Sequence, residues 1–268
     1  MQLIDFDGLF DEKLAQYIEQ NKNKYTEKQW ENVIPRLYKK FGDTFVAKIK
    51  CTPKEYYAKM SESELADTLY AHLTGDVPVP EFLCAELESR DATKELLAIF
   101  EKENDEVVAN YIVNLVGADA RARDIYFECL ENNRFDEDVR SDVTDILRSS
   151  ADEIKEKAMK NYRDGKAVEY MLEILSHCKV RDDEVYEILL KEFLDSEDKV
   201  PVRAGYLASY GDERALPYLM KKIEDRSIGF VTFQELKYAI EALGGEYNEP
   251  RDFSSDKDYI AIEGAGQS

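Results

Sequence analysis

The chain lacks the residue clusters that most catalytic centres and metal sites require. Its 268 residues include two histidines, four cysteines and one tryptophan. The cysteines stand far apart and form no CxxC pair, which excludes the common four-ligand zinc spacings. Scattered single cysteines are typical of reduced, mostly buried thiols in an intracellular protein; they are Cys51, Cys84, Cys129 and Cys178.

Signatures for phosphate binding, calcium binding, secretion and membrane insertion are also missing. No GxxxxGK[ST], GxGxxG or DxDxDG loop occurs. The first residues, MQLIDFDGLFDEKL, are acidic where a signal peptide is basic and then apolar. No apolar run approaches the roughly 20 residues that span a bilayer. We therefore expect a cytoplasmic protein that binds no cofactor, no metal and no membrane.

The two histidines have a structural explanation that needs no chemistry. His72 and His177 each stand near the predicted end of a helix, where the helix dipole stabilises an imidazolium. His177 precedes Cys178, but adjacent residues on a helix do not face each other, so we expect no thiol–imidazole pair. No catalytic residue is predicted, and we expect a protein that is not an enzyme.

Positive charge is in short supply. The chain has 57 acidic residues against 36 Lys and Arg, a formal net charge of −21. Nucleic acids are bound chiefly through Lys and Arg, and no basic patch is visible in the sequence. We therefore expect no nucleic-acid partner and favour a basic protein or peptide. The oligomeric state is left open, with a monomer as the simpler expectation.

What the chain does contain is helical periodicity. Capping boxes open helices at Thr26, Thr52 and Ser61. In the first of these helices an apolar face contains Trp30, which we expect to anchor the first helices onto the rest. From residue 63 onward helices of similar length alternate with short turns, over 63–74, 79–89, 91–103, 105–117, 119–132, 136–148, 151–163, 166–178, 181–195, 199–210, 212–225 and 231–244.

Every second predicted helix ends at a turn position that recurs after about 28 to 35 residues, the period of stacked helical hairpins. These positions are Gly117, Arg148, Ser176, Gly211 and Gly244. Within two of the repeats a Val-Arg pair recurs, as Val139-Arg140 and Val202-Arg203.

The stretch VPVRAGYLASYGDERALPYLMKKIED, residues 200–225, resembles a HEAT-type repeat of the armadillo/HEAT superfamily, in particular its PBS-lyase-like members. The resemblance is clear at 136–148 and 200–225 and weaker elsewhere. It implies an all-α fold, a right-handed α-α superhelix (a HEAT-like solenoid) of about six hairpins. It also implies that Arg140 and Arg203 bond acidic residues of a neighbouring repeat.

We divide the chain into an N-terminal helical cap (1–62), a repeat solenoid (63–246) and a loosely ordered tail (247–268). The tail mixes polar and small residues without a helical face. Its YIAI segment is expected to dock onto the last hairpin or onto a partner, with docking within the chain favoured.

Aligning the repeats by their turn positions predicts which residues line the concave side. The aligned residues form a row that is mostly acidic and polar and contains tyrosines. In one repeat the row consists of the small residues Ala204, Gly205 and Ala208. Tyrosine suits a surface that is half dry and half wet. The residues predicted to bind a basic or extended protein segment are Asn110, Tyr111, Asn114, Asp142, Asp145, Glu169, Tyr170, Glu173, Lys237, Tyr238 and Glu241.

The leading interpretation is a non-enzymatic protein-interaction scaffold, since solenoids present extended surfaces. Two enzyme classes share the implied fold by resemblance: helical-repeat DNA glycosylases, which use a positively charged channel, and bilin lyases. A third alternative is an immunity-type inhibitor that neutralises a basic protein. Fold analogy alone does not choose among them.

Overall fold

The computed structural model describes residues 3–265, and this part of the chain is all-helical. It contains sixteen α-helices, and no strand occurs among the described residues apart from an isolated bridge between Val46 and Cys51. Two short 3-10 helices, Ala120–Ala122 and Glu213–Ala215, lead into α8 and α14. The α-helices, numbered α1 to α16, are Phe6–Asn21, Glu27–Phe41, Pro53–Ala58, Glu62–Leu73, Glu81–Ser89, Thr93–Phe100, Glu106–Val116, Arg123–Glu131, Glu137–Arg148, Ala151–Arg163, Val168–Ser176, Asp183–Leu194, Val200–Tyr210, Leu216–Ile223, Phe230–Ala242 and Lys257–Ala265.

All twelve helical segments predicted between residues 63 and 244 are confirmed, with ends that differ by a few residues. The capping boxes are confirmed too. At Ser61, for example, the Glu64 carboxylate accepts the backbone N–H of Ser61 at 2.8 Å, and the Ser61 hydroxyl accepts that of Glu64 at 3.3 Å. Local signals sufficed here because each cap satisfies backbone groups within one turn.

The helices form two compact units. The first comprises Met1–Cys129 with Phe135–Asp142, and the second comprises Leu130–Arg134 with Val143–Ser268. The boundary predicted at residue 62 thus lies inside the first unit. Helices α8 and α9 each contribute residues to both units, so the division follows packing rather than a linker in the sequence.

In the first unit, α1 packs against α2, α3 against α5, and α4 against α5, α6 and α7. Its first helices meet through aromatic rings. Phe6, which is fully buried, makes edge contacts with Tyr57 and Phe82 at 5.6 and 6.4 Å between ring centroids. Trp30, expected to anchor these helices onto the rest, lies beside Tyr17 and Tyr25, at 6.2 and 4.9 Å, so both of these ring contacts are within residues 1–62.

In the second unit, α10 pairs with α11, α12 with α13, and α14 with α15. Helix α13 also contacts α11 and α15, so the second helices of successive hairpins lie beside one another. Their inward faces are mostly aliphatic and fully buried, with Leu172 on α11, Leu207 on α13 and Leu236 on α15. The 3.6-residue period of these apolar positions is what the sequence displays.

The described part of the segment for which we expected a loose tail, residues 247–265, contains α16 and packs within the second unit. Arg251 donates to the carbonyl oxygens of Ile223 and Asp225, at 2.5 and 2.9 Å. The ring of Tyr259 lies 5.0 Å from that of Phe230, and the Asp256 carboxylate accepts the backbone N–H of Phe230 at 3.1 Å. These contacts supply the order that the local composition does not indicate.

One turn occurs in both units with the same bonds. After Gly117 and Gly211, both at positive φ, the carboxylates of Asp119 and Asp212 accept backbone and side-chain N–H groups of Arg121 and Arg214. Each arginine also reaches an aspartate at the start of the preceding hairpin, Asp91 or Asp183. Hydrogen bonds from these arginines lower the pKa of Asp119 and of Asp212.

Candidate functional site

The eleven predicted binding residues lie on four helices: α7, α9, α11 and α15. The set divides between the two units. Asn110, Tyr111, Asn114 and Asp142 belong to the first, and Asp145, Glu169, Tyr170, Glu173, Lys237, Tyr238 and Glu241 belong to the second. Each group is described within its own unit.

In the first unit the predicted polar residues bond to one another. The Asn110 side chain donates to the Asp142 carboxylate at 2.7 Å, and the Asn114 amide donates to the Asn110 side-chain oxygen at 3.0 Å. Tyr111 instead contacts α5, where its hydroxyl lies 3.2 Å from the Cys84 sulfur. Burial is the main cause that raises the pKa of Tyr111, so its phenol stays protonated at neutral pH.

In the second unit the predicted acidic residues are ion-paired with cations of the same unit. Arg148 bridges Asp145 at 2.9 Å and Glu173 at 2.8 Å. Glu169 is 2.7 Å from Arg203 and 2.9 Å from Lys199.

Burial of Glu169 opposes its ionisation, but hydrogen bonds from Arg203 and Lys199 outweigh burial and lower its pKa. Because these carboxylates are already paired with cations, this group of residues carries less net negative charge than its acidic residues alone suggest.

Arg203 has the structural role that the resemblance implies. It is only 4% exposed, and its bond to Glu169 joins α13 to the preceding hairpin. Its guanidinium also lies 5.5 Å from the Tyr206 ring centroid. Arg140, in the first unit, donates to the carbonyl oxygen of Phe135 at 3.1 Å.

One part of the predicted row, on helix α13, is wrong. Ala204, assigned to the binding side, is fully buried, because it follows Val200 by four residues and precedes Leu207 by three on the core face. Gly205 is where the helix is open: a Cβ built there meets nothing within 4 Å. On α15, Tyr238 is 63% exposed, and Lys237 approaches Glu241 at 3.9 Å.

The alignment of the repeats did not identify some exposed residues on α13 and α15. Val202 on α13 is 49% exposed and Val231 on α15 is 41% exposed, so apolar side chains contribute to the surface. Tyr206 is half-buried, and burial raises its pKa to about 12. The exposure of Val202 could have been predicted from the sequence, since it lies on the side of the helix opposite Val200, Ala204 and Leu207.

The remaining candidates for chemistry are Cys178, His72 and His177, of which the first two are buried. Burial raises the pKa of Cys178 to about 11, so its thiol is protonated at neutral pH. The His177 Nδ1 lies 2.9 Å from the Glu173 carbonyl oxygen, and the buried His72 Nδ1 lies 3.0 Å from that of Val77. Within residues 3–265 no group of three or more His, Cys, Asp or Glu side chains is placed to hold a metal ion.

None of the described helices combines the length and apolar character needed to cross a membrane. Comparisons with protein-family models, with curated proteins and with solved structures find no match to this chain.

Proposed function

We propose that the chain is a HEAT-like solenoid, a right-handed α-α superhelix of about six hairpins. The support is the sequence separation of its side-chain bonds. Arg121 bonds Asp91, 30 residues earlier, Arg214 bonds Asp183, 31 residues earlier, and Arg203 bonds Glu169, 34 residues earlier. Bonds that span one repeat length are typical of a protein in which each repeat contacts its neighbours.

In our proposal this solenoid is a non-enzymatic scaffold that binds a protein segment, and the binding face in the second unit is formed by α11, α13 and α15. The observation that carries the proposal is the open space at Gly205. In the repeat alignment Gly205 stands between Tyr170 on α11 and Tyr238 on α15. A glycine in a helix costs about 1 kcal/mol relative to alanine, so its presence favours a close approach by a ligand backbone.

The proposed partner is a basic, extended protein segment, in keeping with the net charge of −21. The internal ion pairs change how this charge acts. Because Glu169 and Glu173 are already paired with Arg203 and Arg148, a partner's cations must compete with them. Charge then contributes mainly to the rate of association, and contact with Gly205 and Tyr238 contributes to affinity.

The test is a comparison of two substitutions at one position. Gly205→Arg places a long side chain over the proposed face, whereas Gly205→Ala keeps the face open and favours the helix. Each tagged protein is used to capture partners from native lysate, which are quantified by mass spectrometry. We expect wild type and Gly205→Ala to recover the same proteins, and Gly205→Arg to lose them.

Two results would contradict the proposal. If Gly205→Arg recovers the same partners in the same amounts, the face is not the binding surface. If wild type recovers only nucleic acid, or excises alkylated bases from DNA, the scaffold function is wrong. Circular dichroism of both variants checks that the helices remain intact.

A further inference from the structure

The first unit contains an open groove that the proposed binding face does not include. Its volume is about 1060 Å³, and it is lined by residues of α1, α2, α3, α5 and α7 and by the segment that precedes α5. The residues that matter to the inference are the aromatic Phe10, Tyr38, Phe82 and Tyr111 and the acidic Asp11 and Glu81. Aromatic rings thus share one concave surface with carboxylates.

The aromatic part of the groove is held in place by packing. Tyr38 and Phe82 are stacked, with ring centroids 4.8 Å apart and planes 6° from parallel. Phe10 meets the Tyr38 ring edge-on at 4.9 Å. Gly42 allows this arrangement, because a Cβ there would come within 2.6 Å of the Phe82 ring. Phe10 and Phe82 are themselves only 7% exposed, so the ring surface open to a ligand is that of the half-buried Tyr38 and Tyr111.

The carboxylates differ in whether they already have partners. Asp7 accepts a hydrogen bond from the Tyr38 hydroxyl at 2.6 Å. The carboxylates of Asp11 and Glu81 accept no hydrogen bond and form no ion pair within residues 3–265. They differ in this from the carboxylates of Glu169 and Glu173 on α11, which are ion-paired. Two lysines also line the groove: Lys54 is paired with Asp43 at 2.8 Å, outside the groove lining, whereas Lys39 has no carboxylate partner among the described residues.

We propose that this groove binds the arginine or lysine side chains of a basic protein segment. A cation over an aromatic face is attracted by the ring quadrupole, and a guanidinium also stacks on the ring. The carboxylates of Asp11 and Glu81 supply acceptors for its N–H groups. The volume exceeds that of a single side chain, which favours several residues of an extended segment over one small cation. This inference does not depend on the face formed by α11, α13 and α15.

The probe is a fluorescently labelled peptide of alternating glycine and arginine, titrated with the full chain at physiological salt and followed by anisotropy. The groove variant is Asp11→Asn with Glu81→Gln. Its matched control is Glu187→Gln with Glu213→Gln, which removes the same charge from exposed positions in the second unit. We expect the groove variant to bind about tenfold more weakly and the control less than about twofold more weakly.

Equal weakening in both variants would show that the peptide responds to overall charge, and would overturn the proposal. Absence of binding to wild type would do the same. A short aliphatic diamine serves as a competing small cation: if it binds wild type as tightly as the peptide and responds to the same substitutions, the occupant is a small cation and the peptide assignment is wrong. Far-UV circular dichroism confirms that all variants are folded.

Discussion

In α1 to α5, aromatic rings meet one another across the helices, with Phe6 and Phe82 each touching several partners. In α11 to α13 the buried contacts are mostly aliphatic, and ion pairs such as Arg203–Glu169 join adjacent hairpins. Large rings adapt to irregular helix angles, whereas aliphatic stripes framed by ion pairs repeat easily from one hairpin to the next. The resemblance to a repeat in the sequence is clear at 136–148 and 200–225 and absent from the first helices, where the aromatic contacts lie.

The largest expected effect comes from removing a central ring in the first unit. Phe6→Ala should lower the free energy of unfolding by about 3–5 kcal/mol, because the fully buried ring leaves a cavity. Urea unfolding monitored by Trp30 fluorescence reports the first helices, and circular dichroism reports the whole chain. We expect a larger shift of the midpoint by fluorescence.

The control is Phe45→Ala, at a ring that is 62% exposed, which should change stability by less than about 0.5 kcal/mol. Similar losses for both substitutions would show that the aromatic cluster is not what holds the first helices.

A smaller effect is expected from the ion pairs of the second unit. Arg203→Ala removes a buried guanidinium and should lower the free energy of unfolding by about 2–3 kcal/mol. The loss is smaller than the roughly 3–5 kcal/mol typical of a broken buried pair, because half-exposed Glu169 keeps Lys199 as a partner. Arg148→Ala, at a side chain that is 34% exposed, should cost less than about 1 kcal/mol. Chemical denaturation of both variants checks the order, and a larger loss for Arg148→Ala would contradict it.

The repeated turn should make stability depend on pH at the acidic end. Arg121 and Arg214 lower the pKa of Asp119 and Asp212 in the folded protein, so these carboxylates stabilise the fold above their unfolded pKa of about 4. This stabilisation is lost as pH falls through the lower folded pKa. In Asp212→Asn the second turn no longer titrates, so stability should fall less steeply with acidification below about pH 4. Denaturation at several pH values measures the slope, and an unchanged slope would exclude this turn as its source.

The smallest expected effect has opposite signs at two glycines that both have open space around an added Cβ. Gly205 lies in the middle of α13, so Gly205→Ala should stabilise the protein by about 0.5–1 kcal/mol. Gly117 ends α7 at a φ of +55°, so Gly117→Ala should destabilise it by about 1 kcal/mol. Thermal unfolding compares the two, and stabilisation by both would show that backbone conformation is not decisive at Gly117.

Much of the secondary structure could be predicted because its signals are local. The capping residues at Ser61 and the apolar period of α13 act within one or two turns, so the sequence contains them directly. The binding row was predicted less well. The alignment placed Ala204 on the open side, yet the helix buries it, and it did not indicate that Glu169 and Glu173 would already be paired.

The order of the C-terminal segment and the groove of the first unit could not be predicted. Arg251 caps a helix end about 26 residues away, and Tyr259 meets Phe230 only after the chain turns back. The groove brings Asp11, Tyr38, Glu81 and Tyr111 together from four helices, with no spacing that links them in the sequence.

By itself, then, the sequence determined an all-helical, acidic chain, the places of its helices between residues 63 and 244 and a repeat of hairpin length, because caps, apolar periods and charge counts are properties of neighbouring residues. The tertiary structure alone decided which carboxylates remain unpaired, which glycine is open and which aromatic rings share a groove. Those outcomes depend mostly on contacts between residues about 25 or more positions apart, where small shifts in packing determine whether two groups meet.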